Sequence, residues 1–162
     1  MAINISKQIS QIKSKIITAI ENDPDIIKAI DNPDIVDPQD LEYKNIFPSW
    51  RIPDVEVDSR TCICVSVSSA FSKKSEVVKK FIVEIMIFTT QTLQRVPNDS
   101  VARGCTRVDY ISERIEDILS RNTELGIGET HLVSSDEKAV DARHPARILT
   151  FEVFGFNSNY AL

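Results

Sequence analysis

The stretch FIVEIMIFT, residues 81–89, decides how this chain folds. A strand with one wet face alternates apolar and polar side chains. Here Phe81, Val83, Ile85 and Ile87 line one face, while Ile82, Met86 and Phe88 line the other, interrupted only by Glu84. Such a strand needs cover on both sides.

Working outward, Val77 to Gln91 reads as one long strand, and TCICVSVSSAF (61–71) as the strand before it, with SKKS (72–75) turning between them. The earlier strand has one oily face (Ile63, Val65, Val67) and one milder face (Cys62, Cys64, Ser66, Ser68). THLVSS (130–135) is a third strand and DEKAVDARHP (136–145) a polar connection or hairpin tip. ARILTFEVFGF (146–156) is a fourth, again apolar on both faces. Ile5, Ile9, Ile12, Ile16 and Ile20 form one stripe of an amphipathic helix over 4–22. Asp23-Pro24 then supplies an N-cap and an N1 proline for a short helix to Ile30. Val108, Ile111, Ile115, Ile118 and Leu119 mark another helix over 107–121. The order α-(α)-β-β-α-β-β predicts an α+β fold: a four-stranded, mainly antiparallel sheet of two hairpins, covered on one face by amphipathic helices. The whole of 1–162 reads as one domain with a long acidic loop at 31–60.

Helices on one face leave the other unexplained. Ile82, Met86, Phe88, Ile148, Phe154 and Phe156 fall on alternate positions that share this second face. A patch of that size is seldom left in water. Either the 31–60 loop folds across it or another subunit does. The subunit is the favoured cover, with the loop contributing through Phe47 and the single tryptophan, Trp50.

Composition narrows the function by exclusion. The net charge of −5 disfavours a protein that coats nucleic acid, which needs a basic surface. Four glycines build no phosphate loop, dinucleotide fingerprint or nucleophile elbow. Cys62-Ile63-Cys64 lacks the second pair and the spacing of a zinc site, and Cys105, His131 and His144 are scattered. The cysteines read as reduced thiols, and Glu113, Glu116 and Asp117 beside Arg114 and Arg121 as a solvated helix face. Lys73, Lys74, Lys79 and Lys80 read as a hairpin tip without the aromatic residues of a single-strand platform. Neither an apolar leader nor a membrane span is expected. No catalytic residue, metal or cofactor is expected either.

An N-terminal amphipathic helix, the acidic loop, the hairpin CICVSVSSAFSKKSEVVKKFIVEIMIFT, the helix DYISERIEDIL and a final hairpin ending ILTFEVFGF together resemble the tail-terminator and neck proteins of long-tailed bacteriophages and phage-like tail particles. The resemblance lies in element order and length. It implies a structural virion protein: a homo-oligomeric ring, typically a hexamer, that caps the tail tube and joins it to the head at the neck. Its partners are then the tail tube protein and neck or connector proteins. DNA passes through the ring without specific binding, and no membrane is involved. The chain is expected in the host cytoplasm before assembly and at the tail–neck junction of the virion afterwards. The alternatives are a head-completion or connector protein, a non-viral oligomeric regulatory or ligand-binding module, and a small α+β enzyme.

Overall fold

The computed structural model describes residues 4–51, 60–70, 78–97 and 101–156. The elements run α1 (Ile5–Glu21), α2 (Pro24–Ile30), β1 (Ile46–Phe47), β2 (Cys62–Ala70), β3 (Val78–Phe88), α3 (Arg107–Leu119), β4 (Ile127–Asp141) and β5 (His144–Phe156). Single 3-10 turns lie at Pro38–Leu41 and Gln91–Leu93. The fold is α+β, with a sheet of five strands in the order β1-β2-β3-β5-β4, one more strand than expected. The addition is β1, two residues long and parallel to β2. A two-residue strand inside a proline-rich loop carries no periodicity by which to read it. The other pairings are antiparallel, and the two hairpins join through β3 and β5. β4 is much longer than THLVSS suggested. It absorbs most of the polar connection, because an edge strand wet on both faces needs no apolar alternation.

The helix starts follow from local chemistry. Asn4 accepts from the backbone N–H groups of Ser6 and Lys7 and caps α1. Asp23 does the same for Asp25 and Ile26 at the head of α2. Thr106 and Asp109 form a reciprocal capping box on α3.

The helices lie on the face made by Ile63, Val65, Val67, Phe81, Val83, Ile85, Ile87, Leu149, Phe151 and Val153, all buried with Ile12, Ile16, Ile20, Ile111 and Ile115. Each such aliphatic side chain contributes about 1.5–3 kcal/mol relative to leaving it in water. Charged groups fix the helices in place. Arg147 on β5 donates to Asp109 on α3 at 2.6 and 3.0 Å. Arg114 on α3 donates to the α2 cap, Asp23, at 2.7 Å. The guanidinium of Arg107, almost wholly buried, donates to the carbonyls of Arg95 and Ile30. At the β4–β5 end Gly126 has no room for a side chain: a Cβ there would lie 2.2 Å from the Phe154 carbonyl oxygen.

Candidate subunit interface

The second face of the sheet is where the expected interface residues fall, and strand register sorts them into rows. Cys62 pairs with Phe88, which pairs with Ala146, which pairs with Lys138. The next row is Phe47, Cys64, Met86, Ile148 and Asp136. Then come Ser66, Glu84, Thr150 and Ser134, followed by Ser68, Ile82, Glu152 and His131. Lys80 and Phe154 pair in the last.

The first two rows are sealed by the chain itself. Phe47, Cys62, Cys64, Met86, Phe88 and Ala146 form a small second core, with Val140 and Ile148 packed against it. Phe88 is 0% and Met86 8% exposed. The ring of Phe88 meets His144 edge-on, with centroids 6.0 Å apart. His144 is held by Asp141 across the β4–β5 turn, Nδ1 to Oδ2 at 2.8 Å. Arg51 lays its guanidinium 4.6 Å from the centre of the Phe47 ring. Burial pushes the Cys64 thiol up to about 11, the backbone N–H and charge of Arg51 opposing only in part. Met86 and Phe88, expected to face a neighbour, are thus covered within the chain. The physical reason is that the loop turns Phe47 and Arg51 back over this end of the sheet, the cover that ranked second in the sequence.

The remaining rows are more open. Ile82, Ile148 and Phe154 are half-buried, among Ser66, Glu84 and Thr150. Lys80 and Glu152 form an ion pair beside them. Trp50 is 43% exposed and does not pin the loop to the core. Phe156 ends β5, and its side chain lies outside the described residues, as do the turn lysines 73 and 74 and the acids at 54, 56 and 58. Along the rim runs β4, fifteen residues that pair on one side with β5, interrupted by bulges, with Val133 55% exposed. The acids of the α3 face are tied in more than expected, since Arg114 reaches Asp23, Asp25 and Asp117 together.

Among the described residues no group of three or more His, Cys, Asp or Glu side chains is placed to hold a metal ion, and no helix is long and apolar enough to cross a membrane. One feature escaped the sequence reading. Glu21, the last residue of α1, is 8% exposed, and its Oε1 has no hydrogen-bond partner. The available signal was an acid beside Ile20 in a last turn that holds no base.

A comparison with curated proteins finds no match. Residues 14–153 match the family model YomW, a protein name from the SPβ phage region of Bacillus, and the chain therefore belongs to the phage-associated YomW family.

Proposed function

We propose that this chain is a structural virion protein that forms a ring, caps the phage tail tube and joins it to the neck. The observation that carries the reading is the open half of the second sheet face. Ile82, Ile148 and Phe154 lie half-exposed there, next to a fifteen-residue edge strand. Apolar side chains on one face beside an unequal edge suit a head-to-tail contact, and head-to-tail contacts whose rotation closes give rings. Membership of a phage-associated family supports the setting. The net charge of −5 suits a channel through which DNA must slide, because a basic lumen would hold phosphates by counterion release. The role expected is mechanical: the ring covers the last free edge of the tube and offers the head a docking surface.

The test is disruption of the gene followed by negative-stain microscopy of the lysate. A terminator predicts filled heads beside unjoined tails of irregular, often excessive length. A head-completion protein predicts heads that lose DNA beside tails of normal length. Normal-length tails reject the terminator role.

A further inference from the structure

A pocket of about 340 Å³ lies between α1 and the loop that follows the Pro38–Leu41 turn, lined among others by Ser10, Thr18, Glu21, Glu42 and Tyr43. Its wall is rich in hydrogen-bond acceptors. Lys13, the cation at its edge, donates instead to the Pro48 carbonyl at 2.6 Å. Glu21 is more than nine-tenths buried, and its Oε1 has neither a partner nor contact with solvent. A buried charge without a partner is costly, and a buried acceptor left unmade calls for a reason. Glu21 also closes the C-terminal end of α1, where the helix dipole disfavours a carboxylate and favours a cation. Burial raises the Glu21 carboxyl above its ordinary range, and the neighbouring acids Glu42 and Asp37 raise it further.

We propose that this pocket is a binding site for an organic cation, an alkylammonium or guanidinium group whose N–H donors pair with the Glu21 carboxylate. The wall offers acids and hydroxyls, and not the three or more His, Cys, Asp or Glu ligands that a metal ion needs. Binding would satisfy the orphaned oxygen, neutralise the acids and place positive charge at the helix C-terminus. It would also draw the raised Glu21 carboxyl down, so that binding releases a proton. The cation has two possible sources, a free amine or a basic side chain of another protein. The site stands independently of the ring reading.

The test titrates the full-length chain with n-butylammonium and ethylguanidinium chlorides, with tetramethylammonium, which has no N–H, as the charge control. Carbon NMR follows the Glu21 carboxyl, and calorimetry in two buffers of different ionisation heat counts protons. The expected result is saturable binding with proton release by the two N–H donors alone, weakened roughly tenfold or more by Glu21→Gln. Should that variant fail to fold, Glu42→Gln removes a neighbouring charge from an exposed position and is expected to weaken binding to a smaller degree. If the probes also dissolve self-association, the natural cation is a side chain of a second copy. If they bind and leave assembly untouched, it is a free amine. Binding that Glu21→Gln and Glu42→Gln both leave intact, equal binding of tetramethylammonium, or no binding at all overturns the proposal.

Discussion

Phe88 separates two accounts of the second sheet face. Its side chain is 0% exposed within a single chain, between Cys62 and Ala146 and edge-on to His144. Truncation to alanine leaves a cavity that neighbouring strands cannot close, since both are fixed by ladder hydrogen bonds. Phe→Ala at such sites costs about 3–5 kcal/mol. Against a total stability of roughly 5–15 kcal/mol this is a large fraction. For a chain of this size it lowers the melting temperature by roughly 6–20 °C. Phe154, half-buried on the open rows, is the contrast: Phe154→Ser should cost about 1 kcal/mol or less and act on association instead. Urea titration followed by circular dichroism reads stability, and size exclusion with light scattering reads association. If Phe88→Ala kept the wild-type urea midpoint and lost only assembly, the second core would not exist as described.

Other perturbations have equally definite outcomes. Gly126→Ala forces a Cβ against the Phe154 carbonyl and the Val153 side chain, and a loss of about 1–3 kcal/mol is expected in the same urea titration. Cys62 and Cys64 are both fully buried, so thiol reagents at neutral pH should label Cys105 first and reach the other two only on unfolding. Cys62→Ser places a hydroxyl in an apolar cluster and should cost about 1–3 kcal/mol. Burial alone would raise the Asp109 carboxyl, but hydrogen bonds from Thr106 and Arg147 outweigh it and hold the group below its ordinary value. Its contribution is therefore present above the unfolded carboxylate range and lost as pH falls through the lower folded value. Asp109→Asn should flatten that part of the acid limb of the stability curve, and an unchanged limb would show that the Arg147 contact is idle.

The helices and the main strands were legible because their signals are local. An isoleucine every three or four residues makes α1, Asp23-Pro24 starts α2, and two oily faces mark β3 and β5. What stayed hidden depended on contacts distant in sequence. Alternation told that Met86 and Phe88 need cover but not which atoms supply it, and Phe47 comes from a segment some forty residues earlier. β1 is too short to carry a period, and the outer half of β4 has no apolar face to display one. The division of the second face into sealed and open rows follows from register, which sets Cys62 opposite Phe88 and Ser68 opposite Ile82. The Glu21 pocket required knowing that the loop turns back over the end of α1.

The central claim is a closed ring built from copies of this chain. The direct measurement is the native mass of the purified 18.2 kDa chain, alone and after mixing with tail tubes, with the particles imaged by electron microscopy. The account predicts a discrete multiple of the chain mass and annular particles, alone or seated on tube ends, and their loss in Phe154→Ser. A strict monomer that leaves tail tubes bare under both conditions would contradict it.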